Sequence, residues 1–467
     1  MTDAVDTRHP DWTERAEEWR LMRDSNRGET AIKDAGKVYL PQPSGFAKQA
    51  DGGVALYAAY QKRAQFAEIV LPAVMAMVGV IHQAEIKVVI PDSMAKLWER
   101  ATADGLPLEA FHRRITAELL LMGRYAVLVD APSSGDLPWL AGYQAESLIN
   151  WAEDRSMFVL NESGLVRNGF EWTDRKQYLA LLLENGKYVG RRYDGDGNPI
   201  KDKEGEPTTA KGDNLTEIPI VVMGPRDLSL KPETPPCIGI ARSAVSMYQL
   251  SADYRWQLFM TGQETFVVIN GEAPETVGAG VVISLQGNGE GKQPDAKYVG
   301  PAGTGIAAHR VAITDEQQNA ANAGARLFNS GQKTAESGDA LRIRYTSETA
   351  SLISVAHASC AGLEKALRYA GRMMGLGETE IGNIVVTPPK TLVERTITPQ
   401  QMTAIMGLWE KGLISGETAY ENLQAGNVAS AERDWAEEQD MIAKEQLGAA
   451  ADQMAAMTPP DVTPAAK

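Results

Sequence analysis

The sequence predicts an α+β fold in which long helices predominate and short strands are confined to two regions. Apolar residues recur at helical spacing in several segments, the longest being residues 345–374. Short β-type runs separated by turn residues lie in residues 157–224 and again in residues 264–313. With 467 residues, 43% of them hydrophobic, the chain can bury a sizeable core.

The first hundred residues are predicted to be mainly helical. Residues 11–24 form a helix that ends before Gly28, and residues 54–82 are predicted as one long helix with an apolar second half. The apolar run 69–81 is shorter than a bilayer-spanning segment and contains Pro72. We therefore expect a buried helix there instead of a membrane span.

A helix, a buried strand and a set of hairpins follow. Residues 107–122 form an amphipathic helix with Gly123 at its C-cap, and residues 125–130 form a buried strand. Further strands are predicted at 157–160, 169–172, 178–183, 187–190 and 218–223. Asn185-Gly186 predicts a hairpin turn, and Pro219 favours an edge position for the last strand.

The second half is predicted to consist of long helices around a small β-rich insert. A helix over 239–261 is apolar around most of its circumference, so it should be covered by its own chain or by neighbouring copies. Strands are expected at 265–269 and 281–285, then a polar helix over 314–333, a loop over 334–339 and the long helix 345–374. One face of that last helix carries an apolar stripe of Leu352, Ala356, Cys360, Leu363, Leu367, Ala370 and Met374.

The C-terminal region is predicted to be an acidic helical segment with a disordered tail. After a strand at 383–387, helices are expected at 398–412, after Ser415, and at 429–447. Residues 401–447 contain nine acidic and three basic side chains. The tail 448–467 has the composition of a disordered segment.

Charge and cysteine content exclude several classes of protein. There are 46 Lys and Arg against 61 Asp and Glu, a net charge of -15, whereas free-standing nucleic-acid binders are usually basic. Such a chain can enclose a polyanion but does not attract one through its overall field. Two cysteines exclude a disulfide-rich or Cys-rich zinc scaffold. The polar N-terminus has no signal-type apolar core, so we expect a soluble intracellular protein.

Two motifs resemble ligand loops but lack essential positions. Residues 194–198 begin like a calcium loop, yet Pro199 replaces the required Gly and Gly205 replaces the bidentate Glu. Residues 287–292 resemble a phosphate loop but lack its first Gly and its final Ser or Thr. Both segments are predicted to be hairpin turns.

The sequence offers little that points to catalysis. His357 and Cys360 lie three residues apart on the long helix, which allows a thiol–imidazole nucleophile or, as we favour, a core cysteine beside a surface histidine. Neither a serine-nucleophile elbow nor a zinc-protease motif stands out. We expect no enzymatic activity, no cofactor and no metal.

The order of the segments resembles that of tailed-bacteriophage portal proteins, in particular a siphovirus-like branch. The resemblance covers about residues 10–445. The local matches are residues 19–24 with Gly28, 39–41, 123–132, 143–151, 251–253, 266–271 and 412–419.

The resemblance implies a portal-type fold and a function in DNA transport. In that family about twelve copies form a ring at one capsid vertex, a closed arrangement that requires head-to-tail contacts. The ring is the channel for DNA packaging and ejection. The implied partners are further copies of the chain, double-stranded DNA passing non-specifically, the major capsid and scaffold proteins, the terminase large subunit and a head–tail adaptor. No membrane is implied, and the implied location is the virion after assembly in the host cytoplasm.

The family's parts can be assigned to segments of this chain. The assignment gives an α/β wing (1–235), a stem helix (236–262), a small β-rich clip (263–312), a second stem helix (313–335), a tunnel loop (336–344), the long wing helix and a strand (345–395), a helical crown (396–447) and the tail (448–467). Near the tunnel loop, Lys333, Arg342 and Arg344 are the candidate phosphate neighbours in the DNA channel. Ion pairs between subunits are an equally good explanation for these three.

Two other functions remain open from the sequence. The chain could be another virion structural component, such as a head–tail adaptor, although adaptors are usually much shorter. An enzyme would need a complete phosphate loop or a convergent catalytic triad.

Overall fold

The computed structural model describes residues 4–84, 86–130, 137–200, 205, 207–262, 265–272, 274, 276, 284–285, 293–299, 305–325, 338–389, 392, 399–426, 428–430 and 433–457. The chain divides into two compact units, Met1–Lys390 and Thr391–Lys467, and each is described by itself. The architecture is mixed α+β, as predicted.

The first unit combines long helices with several small antiparallel sheets. Its helices are α1 (Pro10–Arg27), α2 (Glu29–Asp34), α3 (Val54–Arg63), α4 (Val70–Gln83), α5 (Lys96–Glu99), α6 (Leu108–Met122), α7 (Ile238–Thr261), α8 (Gly305–Ala325), α9 (Gly338–Met373) and α10 (Glu378–Gly382).

Its described residues contain thirteen strands, which form five sheets. They are β1 (Lys87–Val89), β2 (Tyr125–Asp130), β3 (Trp139–Gln144), β4 (Leu148–Trp151), β5 (Met157–Asn161), β6 (Gly164–Asn168), β7 (Glu171–Arg175), β8 (Gln177–Glu184), β9 (Lys187–Asp194), β10 (Ile220–Met223), β11 (Thr265–Ile269), β12 (Asp295–Val299) and β13 (Val385–Thr387). The strand orders are β1-β13, β10-β2-β3, β4-β5-β8-β9, β6-β7 and β11-β12.

The core of the first unit lies between α6, α9 and the β2 sheet. The predicted α6 and β2 are confirmed, and Gly123 ends α6 with a φ of 67°, in the left-handed region that glycine adopts without strain. The stripe predicted on α9 is buried except at Met374, which lies just beyond the helix and is half-buried. β10 is an edge strand, as Pro219 predicted.

The single helix predicted over 54–82 is wrong, because the chain forms α3 and α4 with an extended break at residues 64–69. Side chains from elsewhere replace the helical hydrogen bonds at this break. Gln65 N–H donates to Ser251 Oγ at 2.7 Å, and Phe66 N–H donates to a Glu29 carboxylate oxygen at 3.1 Å. A periodicity argument cannot detect such partners, because they are distant in sequence.

The hairpin region follows the prediction with one displacement. β5, β8 and β9 lie where expected, and Asn185 and Gly186 both have positive φ, as the predicted hairpin turn requires. The strand predicted at 169–172 is displaced, since Gly169 and Phe170 form the turn between β6 and β7. β6 was not predicted, because its residues Gly-Leu-Val-Arg-Asn lack a clear alternation.

Around the small insert, β11 is confirmed but both following helices begin earlier than predicted. α8 starts at Gly305 instead of residue 314, since residues 306–313 contain good helix formers that the neighbouring glycines obscured. α9 starts at Gly338 instead of residue 345, so residues 338–344 of the predicted loop are helical. The predicted strand 281–285 lies largely outside the described residues, and β12 was missed.

The second unit contains α11 (Pro399–Glu410), α12 (Gly416–Ala425) and α13 (Trp435–Met457). Ser415 caps α12 by accepting a hydrogen bond from Thr418 N–H at 3.1 Å. The prediction that disorder begins at residue 448 is wrong up to Met457, because the alanine-rich sequence continues α13. Residues 458–467 lie outside the described part of the chain.

Candidate functional site

An antiparallel helix pair that carries a two-stranded sheet is the most distinctive part of the first unit. α7 has 24 residues and α8 has 21, so they are about 36 Å and 32 Å long. The start of α7 lies against the end of α8, and Gln257 near the end of α7 donates a hydrogen bond to His309 near the start of α8, at 3.1 Å. The strands β11 and β12 belong to the segment that joins the two helices.

Small residues set the close spacing of this helix pair. A Cβ added to Gly239 of α7 would lie 3.1 Å from Ala323 Cβ of α8, and one added to Gly324 would lie 3.7 Å from Ile240. At the other end of the pair, a Cβ added to Gly305 would lie 3.1 Å from the Gln257 side chain. A larger residue at Gly239 would therefore force the helices apart.

The residues between α1 and α4 hold α7 from two sides. On one side, Gln249 donates to the backbone oxygen of Tyr39 at 2.8 Å, and Asp253 accepts the Tyr60 hydroxyl at 2.6 Å.

On the other side of α7, Ser251 accepts the Gln65 backbone N–H, and Arg255 donates to the Gln65 side chain. Positions 249 and 253 share one helix face while 251 and 255 share another. We call residues 39–65, with these four contacts, the α7 saddle.

Coverage of α7 is uneven along its length. Its N-terminal half is buried by its own chain, while Leu258 and Met260 near its end are exposed. The adjoining strands also expose apolar side chains, namely Ile269, Tyr298 and Val299. The expectation that this helix is covered on several sides thus holds within one chain only for its first half.

The described surface of α8 is polar but weakly charged. Its charged residues are Arg310, Asp315 and Glu316, and only Ala320 among its described side chains is buried. Amide side chains dominate its C-terminal half, where Gln318 donates a hydrogen bond to Asn322 at 3.0 Å. Such a surface can form hydrogen bonds but has only a weak electrostatic field.

The three candidate DNA-channel residues are only partly located. Lys333 lies outside the described residues. Arg342 and Arg344 belong to the first turns of α9, in what was predicted to be a loop. Positions two residues apart in a helix do not share a face, so these two positions diverge around the axis of α9.

A charged cleft of about 880 Å³ along the second half of α9 was not predicted from the sequence. Glu217 accepts a hydrogen bond from Tyr369 Oη at 3.0 Å and pairs with Arg372. Arg368 pairs with Glu364 at 2.8 Å. The clue in the sequence was the recurrence of basic residues at positions 365, 368 and 372, which places them on one helix face.

Lys365 is the cation of this cleft that lacks an ion pair with any described side chain. Its ammonium lies 5.8 Å from the Tyr369 ring centroid. Burial, and then the nearby Arg155, lower the pKa of Lys365. The cleft can therefore accept one anionic group at Lys365, while its carboxylates disfavour a continuous polyanion.

The possible nucleophile pair of His357 and Cys360 is not assembled. His357 is exposed, whereas Cys360 is buried with its Sγ 3.9 Å from His112 Nε2. Burial raises the pKa of the Cys360 thiol to about 12 and lowers that of His112 to about 3. The favoured interpretation, a core cysteine beside a surface histidine, is confirmed.

The calcium-like segment is a turn, as predicted. Asp194 accepts hydrogen bonds from the backbone N–H groups of Asn198 and Asp196, and these lower the pKa of its carboxyl. In the described part of the chain, no group of three or more His, Cys, Asp or Glu side chains could hold a metal ion. The phosphate-loop lookalike lies outside the described residues. No described helix has the length and apolarity to cross a membrane.

One family model matches part of the chain. It is that of a domain of unknown function, DUF4055, and it matches residues 236–374. These limits nearly coincide with the start of α7 at Ile238 and the end of α9 at Met373. The matched segment is thus the helix pair with its strands, followed by the long helix.

Solved structures with some similarity come from gene transfer agent (GTA) particles. A chain of the virion of a native GTA particle has 14% identity and a TM-score of 0.40, with 85% of this chain and 99% of that chain covered. A chain of the neck of an empty GTA particle, computed with C6 symmetry, has 13% identity and a TM-score of 0.38, with coverage of 86% and 99%. A chain of the neck of a native GTA particle, computed with C12 symmetry, has 14% identity and a TM-score of 0.39, with 76% of this chain and 89% of that chain covered.

No curated protein matches the chain.

Proposed function

We propose that the protein is a phage-type portal subunit, which assembles into a ring at one capsid vertex and forms the channel for DNA packaging and ejection. In this proposal the ring docks the terminase large subunit and head–tail connector proteins and contacts capsid and scaffold proteins. It belongs to the virion, is assembled in the host cytoplasm and has no catalytic activity of its own.

The observation that carries the proposal is the α7–β11–β12–α8 unit. A two-stranded sheet is marginally stable by itself in water. Here it exposes Ile269, Tyr298 and Val299, and the adjoining end of α7 exposes Leu258 and Met260. Adjacent copies in a ring would cover these apolar side chains. In this proposal the unit forms the stem and clip that the resemblance implies.

The net charge of the chain fits a DNA channel better than a DNA-binding protein. Tight phosphate contacts would slow the passage of DNA, because each one releases counterions and adds affinity. A net charge of -15, and an α8 with one basic and two acidic residues, favour weak and transient contacts. Base-edge contacts would impede DNA of arbitrary sequence.

The deciding experiment is the mass of the purified full-length protein by light scattering, with negative-stain images of the same fraction. We expect closed rings of about twelve copies, with a central hole wider than a DNA duplex. As a matched pair, Tyr298→Ser should weaken assembly, whereas Trp98→Ser, at a similarly exposed position on α5, should not.

A monodisperse monomer at every salt and protein concentration would contradict a self-assembling ring. Rings that are unaffected by Tyr298→Ser would contradict the role given to the β11–β12 strands.

A further inference from the structure

A basic pocket lies where the α7 saddle meets the second half of α7. Its volume is about 390 Å³, and the charged side chains that line it are Glu29, Lys33, Lys62, Arg63 and Arg255. They come from α2, α3 and α7. Four basic groups against one carboxylate give the pocket three positive charges in a chain whose net charge is -15. This local excess of positive charge favours an anionic ligand.

The one carboxylate that lines the basic pocket is already engaged by other groups. One oxygen of Glu29 accepts a hydrogen bond from Lys33 Nζ at 2.6 Å, and the other accepts one from Phe66 N–H at 3.1 Å. Burial tends to raise the pKa of Glu29, but the Lys33 ammonium, the Phe66 N–H and then Arg255 lower that pKa below its ordinary value. Glu29 therefore stays ionised and neutralises Lys33, which leaves three other cations in the pocket.

These three cations, Lys62, Arg63 and Arg255, form no ion pair with any side chain in the described part of the chain. The hydrogen-bond acceptors of the two arginines are neutral. Arg63 Nη1 donates to the backbone oxygen of Ala59 at 2.8 Å, and Arg255 donates to the Gln65 side chain. Like charges gathered in one pocket repel one another, and a bound anion would remove that repulsion.

Aromatic rings of α7 hold the Arg63 guanidinium in place. Its central carbon lies 3.8 Å from the centroid of the Phe259 ring and 5.7 Å from that of the Trp256 ring. Contact with a ring face fixes the plane of the guanidinium and leaves the N–H groups at its edge for the oxygens of an anion. A donor that is positioned before its ligand arrives loses little conformational freedom on binding.

We infer that the basic pocket binds a phosphate group. The C-terminal ends of α3 and α7 each contribute about half a negative charge, so roughly two of the three positive charges remain for a ligand. A phosphate dianion matches that charge, whereas a carboxylate supplies only one negative charge. The same argument favours free phosphate over a nucleic-acid backbone, whose phosphodiesters carry one charge each. The site goes beyond the proposed ring, because all of its side chains belong to a single chain.

The first test is isothermal titration of the full-length protein with inorganic phosphate at about pH 8, where phosphate is mainly a dianion. We expect saturable binding of one phosphate per chain. Arg63→Gln should raise the dissociation constant about tenfold or more, because hydrogen bonds to a charged group are lost. Arg63→Lys keeps the charge but not the planar arrangement of donors, so it should raise the dissociation constant less.

Lys62→Gln and Lys96→Gln form a matched pair of variants. Both lysines are exposed, but only Lys62 lines the basic pocket, while Lys96 lies on α5. Lys62→Gln should weaken phosphate binding several-fold, and Lys96→Gln should leave it unchanged. Neither variant should lower the melting temperature measured without phosphate, so weaker binding would not reflect unfolding. Phosphate should raise the melting temperature of the wild type, because it binds only the folded chain.

Competition experiments identify the source of the phosphate group. We expect that a short DNA duplex does not displace inorganic phosphate from the wild type, which would support free phosphate as the ligand. Displacement by the duplex that is weakened in Arg63→Gln would support the same site with nucleic acid as the source. Sodium acetate at the same concentration should not displace phosphate.

The outcomes that would overturn the site do not depend on ring formation. The site would be overturned by absence of phosphate binding, by acetate that displaces phosphate equally well, or by equal binding in Lys62→Gln and Lys96→Gln. Rings that form from a protein without phosphate binding would overturn the site and leave the proposed function intact. Phosphate binding by a protein that stays monomeric would support the site and contradict the ring.

Discussion

At the residue scale, one arginine ties together three parts of the first unit. Arg23 of α1 donates to both carboxylate oxygens of Glu118 on α6, at 2.9 Å, and to Glu146 in the β3–β4 turn, at 2.7 and 2.9 Å. Its side chain is only 13% exposed. These bonds raise its pKa against the opposing effect of burial, so the cation is retained at all ordinary pH values.

We predict that Arg23→Ala destabilises the protein by about 3–5 kcal/mol, because two partly buried carboxylates lose their common partner. Urea unfolding of the full chain measures this change. Arg113→Ala is the control, since its pair with Glu109 is exposed, and should cost under about 1 kcal/mol. Equal losses in the two variants would contradict the role of Arg23.

Two buried histidines make stability depend on pH. His82 and His112 lie with ring centroids 4.9 Å apart, and their Nε2 atoms contact Thr116 Oγ1 and Ser359 Oγ. Burial, with Arg113 as the next cause, lowers the pKa of His82 to about 4. Burial, with His82 as the next cause, lowers that of His112 to about 3.

We predict that stability falls as the pH is lowered from 6.5 to 5. In this window the unfolded chain protonates these imidazoles while the folded chain does not, so the unfolded chain binds more protons. Urea unfolding at several pH values should show the fall. His112→Leu with Ser359→Ala should remove roughly half of it, because one of the two histidines remains. The same slope in the variant would show that other groups cause it.

At the scale of helices and strands, the predictions that are confirmed concern segments whose own residues determine their structure. α6, β2 and the stripe on α9 have complete local signals, namely helical spacing, a glycine cap and a continuous apolar run. The predictions that are wrong concern segments whose structure depends on residues distant in the sequence. The break after α3 depends on Ser251 and Glu29, which replace its backbone partners.

The candidate site was predictable only in outline. The helix–strand–helix order could be derived from the sequence, but the charged cleft could not, because Glu217 and Arg372 are far apart in the chain. Arg342 and Arg344 were grouped as loop neighbours, whereas in a helix their positions diverge. Rotation around a helix axis is fixed by packing partners that the sequence alone does not identify.

We predict that Gly239→Leu separates α8 from α7 and makes α8 susceptible to proteolysis. The added side chain has no space against Ala323, at 3.1 Å from the first added atom. Limited proteolysis with mass spectrometry measures the change, and the melting temperature should fall. Gly407→Leu is the control, since a Cβ there meets nothing within 4 Å. An intact α8 in Gly239→Leu would contradict close packing of the pair.

At the scale of the whole molecule, the net charge of -15 opposes self-association. The surfaces proposed to join copies are apolar, so the attraction between copies is insensitive to salt while the repulsion is screened by it. The proposed assembly therefore differs from one held together by ion pairs between subunits. Such ion pairs were the alternative explanation for Lys333, Arg342 and Arg344.

We predict that raising NaCl from about 0.05 M to about 0.5 M shifts the protein toward the assembled form, because screening weakens the repulsion between copies. Light scattering at constant protein concentration measures the shift. Sodium acetate at the same ionic strength should act similarly, which separates screening from specific chloride binding. Dissociation at high salt would instead indicate that ion pairs hold the copies together.

The α7 saddle also determines how the first unit would respond to force. A pull along the axis of α7 would load its contacts to Tyr39, Tyr60 and Gln65 together, because they are spread along and around the helix. Bonds loaded in parallel share the tension and fail at higher force than bonds that open one after another. In the proposed ring, these shared contacts would therefore keep α7 from being drawn out of its own subunit.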